Sequence, residues 1–315
     1  MKRPLIVLTG PTAVGKTKLS VALAEAVNGS VISADSMQVY RHMDIGSAKI
    51  KPEEMGGIPH YLIDLLEPEE EFHVVRFQEY AKACIEEIYK SGRVPVIVGG
   101  TGFYIQAVLY GIDFTEEQGD ASCRRALERL AREEGAHALH KKLAEVDPQA
   151  AAGIHENNVK RVVRALEFYH LTGKKISEHN EAERQRESPY QFAYFVLNDD
   201  RSLLYERINQ RVDQMLEDGL VEEVRRLKGM GCHSGMVSMQ GLGYKEILEY
   251  LDGGCTLEDA VYRIKRDTRH FAKRQLTWFR REREVIWVNK PDFHYDDGEI
   301  LGYLKEELYR RHIIA

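Results

Sequence analysis

Leu5-Ile-Val-Leu-Thr-Gly10-Pro-Thr-Ala-Val-Gly15-Lys16-Thr17 is the stretch that decides the fold. A run of apolar residues followed by G-x-x-x-x-G-K-T predicts a buried strand, a phosphate-binding loop and a helix opening near Lys16. Gly10 and Gly15 let the backbone curl until successive N–H groups point at phosphate oxygens, with Pro11, Thr12, Ala13 and Val14 forming the rest of the cradle. Lys16 supplies a mobile positive charge, Thr17 an oxygen for a divalent cation, and the helix N-terminus adds to the same field. By itself the loop suits a nucleotide hydrolase, a kinase or any other enzyme that grips a phosphorylated ligand.

Working outward, the first ~113 residues alternate strand and helix. Ser30–Ala34 reads as a second strand that delivers Asp35 to its carboxyl end, Phe72–Ser91 has helical spacing, and Val94–Val98 is a strand closed by Gly99-Gly-Thr-Gly102. Continuous apolar runs of this kind belong to strands covered on both faces. The fold class is therefore α/β, a P-loop-type three-layer core with a mostly parallel sheet, plus a helical insertion domain. The insertion follows from a change near Phe114, after which the pattern is helical to about Glu183, with Asp147-Pro148 and Asn157 or Asn158 as helix starts and Gly173 as a stop. Phe192–Leu197 then reads as a strand rejoining the sheet. This predicts a discontinuous core, 1–113 and 190–315, around an insertion at 114–189; a long helical crossover is the alternative. The tail from Ser202 is mostly helical, and Tyr262–Arg281 forms a long helix in which Ile264, Phe271, Leu276 and Trp278 call for burial.

Composition bounds the function. The chain has 315 residues, 43% apolar and 30% charged, with no run approaching the ~20 apolar residues of a membrane span. It begins Met-Lys-Arg-Pro and enters the first strand directly, and its four cysteines are isolated, which together suit a reducing, cytoplasmic setting and give no structural zinc site. His137 and His140 lie three apart on a helix without a third ligand at diagnostic spacing. The net charge of −6 hides an asymmetry: Val261–Arg283 carries a local net of +7, and Lys160–Lys175 holds five basic residues against Glu167. Patches of this sort, rather than the whole-chain sum, govern nucleic-acid binding.

Asp35 and Thr101 converge on the edge where open α/β sheets take ligands. At Asp35 a carboxylate can hold magnesium through water, accept a proton from a nucleophile, or cap a turn with Ser36. Thr101, enclosed by glycines, can donate to a phosphate or bridging oxygen, although adjacent glycines also make ordinary tight turns. Arg207 and Arg211, four apart on one helical face, are candidates for the charge on a phosphate leaving group, or form a solvated face. Asp64 is a weaker candidate at the end of Tyr61-Leu-Ile63. Phe103, Tyr104 and Phe279 can line an apolar pocket or serve the core.

Several longer motifs resemble one family, the tRNA dimethylallyltransferases of bacterial type. The resemblance spans essentially the whole chain and rests on Gly10-PTAVGKT17, Ile32-SADSMQVYRHMDIGSAK49, Pro59-HYLID64, Val98-GGTGFYI105, Arg161-VVRALE167, Leu204-YERINQRVDQM215, Ser238-MQGLGYKE246 and Thr268-RHFAKRQLTWFR280. It implies transfer of a dimethylallyl group from dimethylallyl diphosphate to N6 of adenosine 37 in tRNA, with pyrophosphate leaving. By motif position it implies Asp35 as general base and Thr101 at the bridging oxygen of the donor. Gly10 to Thr17 and Arg211 would hold the diphosphate with Mg2+, Thr17 being the metal contact. It also implies that Asp35, Ser36, Met37, Gln38, Thr101, Lys160, Arg161, Arg164, Gln240, Lys273 and Arg274 touch the tRNA, and that the insertion at 114–189 clasps the anticodon stem-loop. The expected enzyme is a monomer without membrane attachment. Val14 departs from the serine of many relatives, which the backbone cradle does not require, and no C-x-x-C pattern stands in for the zinc-finger extension of eukaryotic relatives.

Overall fold

The computed structural model describes residues 2–114 and 121–314. The chain divides into two compact units, Met1–Leu109 with Pro189–Ala315, and Tyr110–Ser188. Part of the expected insertion, residues 115–120, lies outside the described residues.

The larger unit is a six-stranded sheet in which every strand pair is parallel. Its strands are β1 (Arg3–Thr9), β2 (Gly29–Ser33), β3 (His60–Tyr61), β4 (Val94–Gly99), β5 (Tyr190–Asn198) and β6 (Val285–Asn289), in the order β3-β2-β4-β1-β5-β6. Leu5, Ile6, Val7 and Leu8 are fully buried, as an apolar run sandwiched between helices must be. The helices are α1 (Lys16–Ala26), α2 (Val74–Lys90) and α3 (Gly102–Leu109), followed after the smaller unit by α9 (Arg201–Glu217), α10 (Leu220–Gly229), α11 (Tyr244–Leu251), α12 (Leu257–Phe279) and α13 (Asp297–Arg310).

The smaller unit consists of α4 (Ala121–Glu133), α5 (Ala136–Val146), α6 (Pro148–Gly153), α7 (Val159–Thr172) and α8 (Ile176–Gln185), packed around Leu127, Leu139, Leu143, Val162, Val163 and Leu166. Asp147 starts α6 by accepting from Ala150 N at 3.0 Å, with Pro148 at the first helical position, where a missing N–H costs nothing. Its carboxylate also accepts from Ser177 N at 2.9 Å and Ser177 Oγ at 2.7 Å, tying α8 to the same cap. Gly173 ends α7 in the left-handed conformation, φ 70°.

Three features differ from the sequence reading. β6 lies within a tail read as helical; its five residues are too few to show a period beside the charged run Arg280–Glu284. β3 stops at Tyr61, because Leu62 and Asp64 take positive φ angles of 63° and 52° and turn the chain out of the sheet. On α12 the fully or nearly fully buried stripe is Ala260, Ile264, Ala272, Gln275 and Phe279, whereas Phe271, Leu276 and Trp278 are only half-buried.

Candidate active site

Parallel pairing brings the informative loops together. β2, β4 and β1 are consecutive neighbours, with Ser33 opposite Val98 and Thr9 opposite Gly99, so the chain leaves all three strands at one level. Ala34 N donates to Val98 O at 2.7 Å, and Thr101 N donates to Ala34 O at 3.3 Å. Asp35, the phosphate loop and Thr101 therefore occupy one sheet edge. A Cβ on Gly99 would overlap the Ala34 backbone, which is why this approach needs glycine.

The phosphate loop is shaped by more than its two motif glycines. Gly10 has φ 146° and no room for a Cβ against Leu197 O, while Gly15 has φ 95°. Ala13 also adopts a left-handed conformation, φ 63°, at a cost of roughly 1–2 kcal/mol for an L-residue. Ala13→Gly should accordingly raise stability by about 1 kcal/mol, measurable as an increased Tm in thermal denaturation. Val14 is fully buried in the core, which accounts for an apolar side chain there.

Lys16 Nζ donates to Gly10 O at 2.9 Å and Pro11 O at 2.8 Å. Desolvation pulls the Lys16 ammonium down to about 7; Arg211 pushes the same way and Asp35 opposes. Burial also lowers the Arg211 guanidinium against the opposing fields of Asp35 and Glu54. Burial raises Asp35 above the usual carboxylate value, opposed in turn by the Met37 N–H, Lys16, the Gln38 N–H and Arg211. Asp35 thus caps a turn, with Oδ1 accepting from Met37 N at 2.8 Å, and also shares a field with two cations. One anion facing two desolvated cations leaves a site suited to a phosphorylated anion.

Arg207 does not join Arg211. It pairs with the buried Asp199 and lies 5.8 Å from the Tyr295 ring, because four residues along a helix set it about one turn (~6 Å) nearer the helix start, beside the end of β5. Asp64 likewise leaves the site: half-exposed, it pairs with Lys49 at 2.6 Å. Thr101 accepts at its carbonyl from Tyr104 N (2.9 Å) and Ile105 N (3.2 Å), so it starts α3. Tyr104 stacks on Phe77, with centroids 4.6 Å apart, and Phe279 is fully buried, so both serve the core. Phe103, 37% exposed, meets Trp278 edge-on at 6.0 Å.

Gln275 was not anticipated, and it joins two of the three loops. Its Oε1 accepts from Thr12 N at 2.9 Å, and its Nε2 donates to Gly100 O at 2.9 Å. A Cβ on Gly100 would displace Gln275 Nε2, and one on Gly102 would overlap the Trp278 indole. Spacing held the available signal: Gln275 lies three residues after Ala272 and four before Phe279, on the buried stripe. Thr12 therefore spends its N–H on Gln275, leaving the cradle to the remaining loop amides.

Of the other sequence candidates, Ser36, Met37 and Gln38 continue directly from Asp35, with Gln38 fixed by Ser33 Oγ at 3.0 Å and Ala48 O at 3.3 Å. Gln240 is exposed and donates to Ser234 O; Gly241 beside it packs against Met37 Sδ. Lys273 and Arg274 occupy the exposed face of α12, opposite Gln275. Lys160, Arg161 and Arg164 are exposed on α7, in the smaller unit. His137 meets Glu156 at 2.8 Å, and His140 bonds to the carbonyls of Ala151 and Ile154. Among the described residues no three His, Cys, Asp or Glu side chains cluster for a metal. Mg2+ needs only one or two hard protein oxygens besides water and phosphate, a demand that Thr17 and Asp35 meet in kind.

Comparison with known proteins identifies the family to which this sequence and fold belong. A tRNA dimethylallyltransferase of Lachnoclostridium phytofermentans is 62% identical over 312 residues, covering 99% of both chains. The crystal structure of a tRNA isopentenylpyrophosphate transferase from Bacillus halodurans is 47% identical, covers 99% of this chain and 98% of its own, and superposes with a TM-score of 0.74. A eukaryotic dimethylallyltransferase acting on tRNA is 31% identical with a TM-score of 0.79, over 91% of this chain and 74% of that one. The model of the IPP transferase family matches residues 38–282, and the chain belongs to that family.

Proposed function

We propose that this chain transfers the dimethylallyl group of dimethylallyl diphosphate to N6 of adenosine 37 in tRNA, releasing pyrophosphate. The observation that carries this reading is the shared field of Lys16, Arg211 and Asp35 at one sheet edge, two cations for a leaving anion beside a carboxylate with raised basicity. Membership of the family and the names of its close relatives support the same reaction.

In this mechanism the bond from the prenyl C1 to the bridging diphosphate oxygen breaks as the bond from C1 to N6 forms. The N6 proton passes to Asp35, whose raised pKa makes it a stronger base than an ordinary aspartate. Lys16, Arg211 and the free loop amides stabilise the charge that develops on pyrophosphate, and the Thr101 hydroxyl donates to the bridging oxygen. Mg2+, held by Thr17 and the diphosphate, would supply further neutralisation of that charge. Ser36, Met37, Gln38 and Gln240 would receive the target base, unstacked from the unpaired anticodon loop at a cost of a few kcal/mol. Lys273 and Arg274, with Lys160, Arg161 and Arg164 of the helical unit, would contact the RNA backbone of the anticodon stem-loop. All these groups come from one chain, so a monomer suffices, and an RNA substrate suits a reaction in the cytoplasm. No described helix is long and apolar enough to cross a membrane.

A kinase using the same loop would turn over ATP. The proposed reaction instead requires pyrophosphate release that depends on both RNA and dimethylallyl diphosphate and is indifferent to ATP. Release without RNA, or only with ATP, would overturn it.

Lys16 also sets a pH dependence. Bound diphosphate favours the ammonium, so binding takes up a proton wherever free Lys16 is neutral, that is, above about pH 7. Donor affinity should be level below that value and fall roughly tenfold per pH unit above it. Calorimetry in buffers of different ionisation enthalpy should show about one proton taken up at pH 8.

A further inference from the structure

Glu223 is a carboxylate with 1% exposure on α10, where its stripe-mates Leu220, Val224 and Leu227 are fully buried. Burying such a charge costs several kcal/mol unless its oxygens are fully partnered. They are: Oε2 accepts from Asp44 N at 3.0 Å and Ile45 N at 2.8 Å, and Oε1 from Gly46 N at 3.1 Å and the Tyr244 hydroxyl at 2.8 Å. The Tyr244 oxygen in turn accepts from Ser47 N at 3.1 Å. Four successive amides, 44 to 47, therefore end on one carboxylate–phenol pair. Burial and then the Glu223 charge hold the phenol well above its ordinary pKa, so it remains a donor. Gly46 lies flat against the Tyr244 ring, where a Cβ would overlap it.

The fastened segment reaches the acceptor loop by three routes. Lys49 Nζ donates to Asp44 Oδ1 at 2.6 Å, to Asp64 Oδ1 at 2.6 Å and to Tyr40 O at 2.7 Å. Gln38 Nε2 donates to Ala48 O at 3.3 Å. Gly241, three residues before Tyr244, packs against Met37 Sδ. None of these routes passes through the phosphate loop.

We propose that Glu223 and Tyr244 are positioning residues for the acceptor, holding segment 36–49 so that Ser36, Met37 and Gln38 meet the target base, while Asp35 stays fixed through Ala34 at the end of β2. The proposal rests on the RNA-acceptor reading above. It requires acceptor use to respond to these side chains while the donor site does not, which a general structural anchor would not produce. Gln in place of Glu223 turns an NH2 group toward backbone donors, and Phe in place of Tyr244 removes one hydroxyl without changing the ring.

The test is steady-state transfer to an anticodon stem-loop by Glu223→Gln and Tyr244→Phe, with inorganic pyrophosphate binding measured by calorimetry on the same preparations. The expected result is a KM for RNA raised about tenfold or more in Glu223→Gln and several-fold in Tyr244→Phe. The kcat at saturating RNA and the pyrophosphate Kd should stay within about twofold, the pattern of lost ground-state binding. An unchanged KM for RNA in a folded variant, or a parallel loss of pyrophosphate affinity, would overturn the proposal. If Glu223→Gln does not fold, Tyr244→Phe decides alone. Wild-type transfer in the same assay separates the two levels: its absence overturns the functional reading too, whereas its presence with unaltered variants overturns this proposal only.

Discussion

Asp35→Asn should lower the transfer rate by about 10² to 10⁴ while leaving RNA affinity within about threefold. The amide keeps the shape and can still accept from Met37 N, so the turn survives, but it cannot take the N6 proton. Stability separates this effect from unfolding. The Asp35 pKa is raised in the fold, so its protonated form is the one the fold favours, and its contribution is lost as pH rises from the unfolded value through the folded one. At neutral pH the ionised carboxylate is thus not a net stabiliser through burial, and Asp35→Asn should hold or slightly raise Tm. Single-turnover kinetics with RNA binding and a melting curve would check this. Equal loss of rate and RNA affinity would count against the general-base role.

Gln275→Glu should lower kcat by about 10², although the residue has no assigned contact with either substrate. The isosteric carboxylate keeps the acceptor for Thr12 N but sets an oxygen against Gly100 O, where Nε2 now donates. The phosphate loop and the Thr101 loop would then lose their common brace, and displacement of a reacting group by ~1 Å costs on that order. One buried and one part-buried backbone group depend on this amide, so Gln275→Ala should also cost about 1–3 kcal/mol of stability. Comparing kcat with urea midpoints for Gln275→Glu and Gln275→Ala checks both statements; a folded Gln275→Glu enzyme with wild-type kcat would remove Gln275 from the machinery.

The parts of the molecule legible in the sequence were those whose signal is local. Leu5–Leu8 and the loop after it announce a buried strand and a phosphate site within thirteen residues, and Asp35 and Gly99–Gly102 follow strands of the same apolar kind. What escaped depends on partners remote along the chain. Gln275 reads as one more polar residue in a basic helix, and its reason for burial lies 263 residues away at Thr12. Glu223 looks like a solvated acid beside Glu222, yet its oxygens serve amides some 180 residues earlier. Arg207 and Arg211 carry the same charge on one helix, and only the third dimension gives one to Asp199 and the other to the field of Asp35 and Lys16. Ala13 shows a further limit, since nothing in an alanine advertises a left-handed backbone. β6 escaped because strand formation there rests on pairing with β5 rather than on its own five residues.

The central claim is that the phosphate loop holds a prenyl donor while Asp35 activates an adenosine. Its most direct test is incubation of the protein with dimethylallyl diphosphate labelled at C1 and two tRNAs, one with adenosine and one with guanosine at position 37. The account predicts label in the first RNA alone, recovered after digestion as N6-dimethylallyladenosine, with one pyrophosphate released per labelled nucleoside. Label remaining in the small-molecule pool with folded protein and both substrates present would contradict it, as would equal labelling of the two RNAs.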